Sequence, residues 1–185
     1  MSTATVSVTS PSTAFTLRRL YVARFGFAVI WAAAFATTGS SLGWFASVLL
    51  VLYPAFDVLA AVVDARSTTS DRRIGPGRGI YFNIAVSAVA AVGLAIAASD
   101  DIAAVLRVWG AWAVVAGLVQ LLVAVSRRRL GGQGAMIASG AISVVAGASF
   151  VLSASDATTM VNLAGYAVLG GIFFLVSAVR LGRSA

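Results

Sequence analysis

Three ionisable side chains fall inside long apolar runs of this chain: Arg24, Asp57 and Arg107. A charge surrounded by hydrocarbon is costly and usually finds an opposite charge or water. Asp57 is the acidic residue set clearly within such a run, and Arg24 enters the neighbouring run to a comparable depth from the same end. This placement predicts an Arg24–Asp57 ion pair, or a hydrogen-bonded network shared by the two. Such a pair can fix the register of two helices, or it can line a polar cavity where the carboxylate titrates or meets a cation. Arg107 sits just inside the opposite end near Asp100 and Asp101, where snorkelling or local pairing accounts for it. Asp64 lies near the headgroup boundary and is expected to pair with Arg66 or Arg19.

Other chemistry has little to work with. The chain has no cysteine and no histidine, which removes disulfides, thiol nucleophiles, the ordinary zinc ligand sets and imidazole acid–base catalysis. All 13 cationic side chains are arginine, so no lysine nucleophile exists either. The Gly75-Pro76-Gly77-Arg78-Gly79 run lacks the strand, spacing and lysine of a phosphate loop. No catalytic residue, metal ligand or cofactor is assigned, and the chain is expected not to be an enzyme. The uncharged polar residues within apolar runs, Asn83, Ser87, Gln120, Ser139, Ser143 and Asn162, read as helix-packing or interhelical hydrogen-bonding groups. Pro54, less than one turn from Asp57, leaves the carbonyl of Leu50 without its usual donor and is expected to kink its helix.

The elements that hold these residues follow from composition. Of 185 residues, 60% are hydrophobic and 10% charged, whereas a soluble domain carries about 25% charged residues. The mean hydropathy is +0.98. Apolar runs near Leu20–Phe35, Gly43–Asp64, Gly79–Ala98, Ile102–Val125, Ala135–Leu152 and Met160–Val179 each approach the roughly 20 residues that cross a bilayer. The runs alternate between arginine-marked and aspartate-marked ends. Arg18, Arg19, Arg66, Arg72, Arg73, Arg78, Arg127, Arg128, Arg129, Arg180 and Arg183 fall at one side; Asp100, Asp101 and Asp156 fall at the other. Arginine-rich loops stay in the cytoplasm, so both termini are expected there. The net charge of +7 then serves orientation and anionic lipid headgroups rather than nucleic acid. The fold class is all-α: a polytopic membrane protein with six transmembrane helices in three parallel hairpins, about 18–66, 78–128 and 134–181. Residues 18–183 form one domain, preceded by a Ser/Thr-rich tail, 1–17, expected to be disordered and cytoplasmic.

An internal repeat underlies the hairpins. Sliding the third span onto the fifth sets Ala98-Ser99-Asp100 over Ala154-Ser155-Asp156, and Asn83, Ser87 and Ala91 over Ser139, Ser143 and Gly147. Sliding the fourth onto the sixth sets Trp112 over Tyr166 and Gly117 over Gly171. Residues four apart share a helix face, so Ala135, Ser139, Ser143 and Gly147 form a small-residue stripe for close packing in lipid. Such faces on short-looped helices also leave room for a homo-oligomer.

The segments Trp109–Gln120, Ser139–Gly147 and Ala164–Leu175 resemble the HdeD-like family of small bacterial membrane proteins. The resemblance covers about residues 20–181 and implies a six-span protein of the bacterial inner membrane, associated with acid stress in enteric relatives, without a catalytic signature. The first reading of function is therefore a non-enzymatic protein of envelope-stress or membrane-organising type, partnered by lipids and having no identifiable small-molecule substrate. The alternative is a small oligomeric transporter or channel with a carboxylate-lined path for protons or cations. A hydrated cavity reaching Asp57 would favour the second, and a dry interior the first.

Overall fold

The computed structural model describes residues 11–69, 78–130 and 133–183. Among them lie six α-helices and no strand: α1 (Pro11–Thr38), α2 (Trp44–Thr69), α3 (Arg78–Ala97), α4 (Ile102–Ser126), α5 (Gln133–Leu152) and α6 (Asn162–Arg183), with short 3-10 turns at Arg128–Leu130 and Ala154–Asp156. Each helix contains a segment long and apolar enough to cross a membrane. Helix is the structure such sequences adopt in lipid, because every backbone N–H and C=O is satisfied within the segment. Only about a third of each segment is buried within the bundle. The remainder faces outward and is still apolar, as at Ile30, Leu59, Val89, Ile96, Leu122 and Val145. A water-soluble bundle would show a polar face there; this one presents hydrocarbon to hydrocarbon, as a multi-pass membrane protein does.

Local chemistry sets the turns. Gly39 N–H donates to the Phe35 carbonyl as α1 ends. Asp101 caps α4, its carboxylate accepting from the Ala104 N–H at 2.6 Å, which satisfies one of the donors a helix start leaves open. At this acidic end the turn after α1 is tied to the segment before α6, with Met160 N–H and the Thr159 hydroxyl both donating to the Gly39 carbonyl.

Each helix packs on its neighbours in sequence, and α6 returns to α1, so the six form a ring. The closest packing lies between the hairpins rather than within them. The most extensive contacts are α4–α5, α1–α6 and α2–α3, which join neighbouring hairpins, whereas α1–α2 and α5–α6 touch less. The reason is where the small residues fall. A methyl group added to Gly110 would lie 2.5 Å from the Gly147 carbonyl oxygen, and one added to Gly117 2.8 Å from that of Gly140. Thus α4 and α5 run antiparallel with their backbones in contact at two levels. A methyl on Gly171 would likewise meet Ala28 of α1 at 3.1 Å. The predicted stripe contributes Gly147 and Ser143 to this seam, so these residues are used inside the chain and do not form a free face for a second copy.

One boundary differs. Helix α1 begins at Pro11, and Leu17 is buried, so helix starts within the tail expected to extend to residue 17. Residues 1–10, and the basic candidates Arg72 and Arg73, lie outside the described residues. Helix α2 continues through Pro54. Next to the carbonyl that the proline cannot serve, the indole of Trp31 donates to Leu49 O at 2.7 Å.

Candidate functional site

Inside the ring the two halves are filled differently. Toward the acidic end the centre is a cluster of aromatic rings. Trp31 stacks on Phe35 at 4.6 Å and on Trp109 at 5.5 Å, and Trp109 meets Trp112 edge-on at 5.3 Å. Tyr53 packs against Trp31, Trp109 and Trp112. Three of the four tryptophans are therefore core residues rather than interface anchors; Trp44, 79% exposed at the acidic end, is the one placed as an anchor.

Below this layer, toward the arginine-rich end, lies a cavity of about 150 Å³ to which all six helices contribute. That is space for on the order of ten water molecules. Its walls are largely aromatic and aliphatic, with Phe27, Phe56 and Phe174 among them, interrupted by a few polar groups. Two ion pairs stand at different depths, both built on α2. Deeper in, Arg24 Nη1 lies 2.7 Å from Asp57 Oδ1. Nearer the basic end, Arg127 Nη1 lies 3.0 Å from Asp64 Oδ2. Seven residues separate Asp57 from Asp64, two helical turns, so both carboxylates look out from one face of α2 about 10 Å apart.

The Asp57 node extends over four helices. Oδ1 accepts from Arg24 of α1; Oδ2 accepts from Asn83 Nδ2 and from the Ser87 hydroxyl of α3, both at 2.8 Å. Ser87 Oγ in turn accepts the indole N–H of Trp112 on α4 at 3.1 Å. Every contact to the carboxylate is a donor, the arrangement that an ionised carboxylate requires. The guanidinium of Arg24 also sits 5.0 Å from the ring centre of Phe174 on α6, a favourable cation–π placement.

Of the remaining sequence candidates, Gln120 donates to the Met136 carbonyl at 3.2 Å, linking α4 to α5. Ser143 accepts from the Tyr166 hydroxyl at 3.1 Å. Arg107 is exposed and donates to Ser155 at 3.0 Å, outside the cavity. Asn162 is exposed on the first turn of α6 rather than between helices. Arg66, Arg78, Arg128 and Arg129 are exposed at the basic end. The sequence brought Arg24 and Asp57 together correctly, but Arg127 as a partner of Asp64 and Trp112 as a partner of Ser87 were not foreseen. A signal for the latter did exist, because the repeat aligns Ser87 with Ser143 and Trp112 with Tyr166, and both aligned pairs are hydrogen-bonded. Among the described residues no three His, Cys, Asp or Glu side chains gather as a metal site requires.

Comparison with protein-family models, with curated proteins and with solved structures found no match to this chain.

Proposed function

We propose that this protein is a non-enzymatic membrane transporter that binds a small solute in the cavity within its helix ring. One observation carries the reading: the cavity draws its lining from all six helices, reaches the Arg24–Asp57 pair, and stops beneath the aromatic layer of Trp31, Trp109 and Trp112. Interior space lined by an ion pair and polar side chains is what a binding site at membrane depth needs, and a protein that served only to pack would leave it filled. By the distribution of arginines the cavity faces the cytoplasm. The aromatic layer then acts as the barrier on the far side, and alternating access requires its opening.

The absence of cysteine makes the test clean. A single cysteine at Ala116, which lines the cavity, should react with a small membrane-impermeant thiol reagent applied at the arginine-rich side. A cysteine at Val145, on the outer apolar surface, should not. If Ala116→Cys reacts from neither side of a sealed vesicle, the cavity is dry and the transport reading fails.

A second reading, an HdeD-like envelope-stress or membrane-organising protein of the bacterial inner membrane, has its own support. The segments that carry the resemblance, Trp109–Gln120 and Ser139–Gly147, pack on each other through Gly110, Gly117, Gly140 and Gly147. Their pattern is thus accounted for by helix packing. A deletion strain sensitive to acid, rescued equally by the parent and by a cavity-filled variant, would favour this reading over transport.

A further inference from the structure

At the depth of Asp57 the cavity's unspent hydrogen-bonding capacity lies with donors. Asp57, its deepest carboxylate, already accepts three hydrogen bonds, from Arg24, Asn83 and Ser87. A carboxylate has about four acceptor positions, so little remains for a cation, which would also have to displace or face the Arg24 guanidinium at 2.7 Å. Arg24 stands in the opposite condition. A guanidinium has five N–H donors; one is used on Asp57, one face of the group lies over Phe174, and the side chain is still 16% exposed, bordering the cavity. Tyr53 also lines the cavity, and its hydroxyl has no hydrogen-bond partner among the described residues. Around Asp57 the groups left available are therefore those that can donate, set in walls of Phe27, Phe56 and Phe174, while the cavity's other carboxylate, Asp64, is paired with Arg127.

Building on the transport reading, we infer that the cavity takes an amphipathic anion, an oxyanion head on an apolar body, with Arg24 as the head's binding residue. The head seats against the free edge of the Arg24 guanidinium and the Tyr53 hydroxyl, and the body lies among the phenylalanines. Asp57 is a positioning residue: with Asn83 and Ser87 behind it, it holds the guanidinium in place and keeps cations from gaining a free carboxylate. The arginines that crowd the same end of the bundle raise the local concentration of anions at the entrance. This assignment reverses the proton or cation path considered from the sequence. The head can be a free organic carboxylate from the aqueous side or a lipid phosphate from the bilayer; the chemistry at Arg24 is the same.

The test uses the full chain in phosphatidylcholine nanodiscs and three probes of one shape: naphthoate, the neutral naphthamide and the cationic naphthylmethylamine, with binding read by calorimetry. Naphthoate is expected to bind most tightly. Arg24→Gln should weaken it about tenfold or more, the size of one lost charge-assisted hydrogen bond, while Arg24→Lys, which keeps the charge beside Asp57, should weaken it less. Gly170→Leu provides a second variant that leaves the ion pair alone. Gly170 borders the cavity, and a Cβ added there meets nothing within 4 Å, so the variant is expected to fold and its larger side chain to block all three probes. Tighter binding of the amine or amide, blocked by Gly170→Leu, overturns the anion assignment while the binding pocket stands. No binding of any probe overturns both. Replacing part of the phosphatidylcholine with phosphatidic acid separates the sources: loss of naphthoate binding identifies a lipid phosphate as the occupant, and unchanged binding identifies a free acid.

Discussion

Ser87–Trp112 and Ser143–Tyr166 are one contact made twice, at equivalent places in two copies of a repeat. In each, an aromatic ring on the returning helix donates to a serine hydroxyl on the outgoing one. Their surroundings differ. Ser87 is fully buried and donates its own hydroxyl hydrogen bond to Asp57, which also accepts from Asn83 and Arg24. Ser143 is half-buried at the cavity wall, and no carboxylate stands behind it among the described residues. The serine–aromatic contact therefore belongs to the architecture of the repeat. The charged pair is an addition contributed by α1 and α2, and it converts one of two similar contacts into a site.

The strongest way to break that distinction is to remove the charge from one side only. Asp57→Leu should leave Arg24 buried without its partner and destabilise the protein by about 3–5 kcal/mol. The double replacement Arg24→Met with Asp57→Leu should recover most of the loss, because well-packed apolar residues can replace a buried ion pair at little cost. Denaturation in mixed micelles measures both. If Asp57→Leu alone costs nothing, the pair is solvated and Asp57 is not the node described. Next in size is the glycine seam between α4 and α5. Gly110→Ala places a methyl group 2.5 Å from the Gly147 carbonyl and should cost about 1–3 kcal/mol through overpacking. Gly165→Ala, where added atoms meet nothing within 4 Å, should cost almost none.

How much of this was legible in the sequence depended on whether a signal was local. Span lengths and the alternation of Arg and Asp at helix ends are properties of continuous stretches, and the six helices follow from them. The Arg24–Asp57 pair could be read because the two residues sit at matched depth in consecutive helices and neither can remain alone in hydrocarbon. Asp64 was harder. Near the boundary several arginines compete for it, and Arg127, which pairs with it, is 63 residues away at the C-terminal end of α4, brought there by closure of the ring. The cavity was not legible at all. It depends on which helices lie closest, and the glycine contacts across α4–α5 exceed those within the hairpins, an ordering that periodicity in uniformly apolar segments does not encode. Trp109 shows the same limit. Its apolar run does not say which way it faces; it is wholly buried, and its indole N–H has no hydrogen-bond partner among the described residues.

The smallest effects sharpen the comparison rather than break it. Ser87→Ala removes a donor to a buried carboxylate and strands the Trp112 N–H, so a loss of about 1–3 kcal/mol is expected. Ser143→Ala removes only the acceptor for the Tyr166 hydroxyl, at the cavity wall and with no carboxylate to lose a donor, and about 0.5–1 kcal/mol is expected. A difference between the two serines in the same denaturation assay measures what the carboxylate adds to an otherwise repeated contact. Equal losses would mean that Asp57 draws nothing from Ser87, and that the two halves of the repeat are energetically as alike as their alignment.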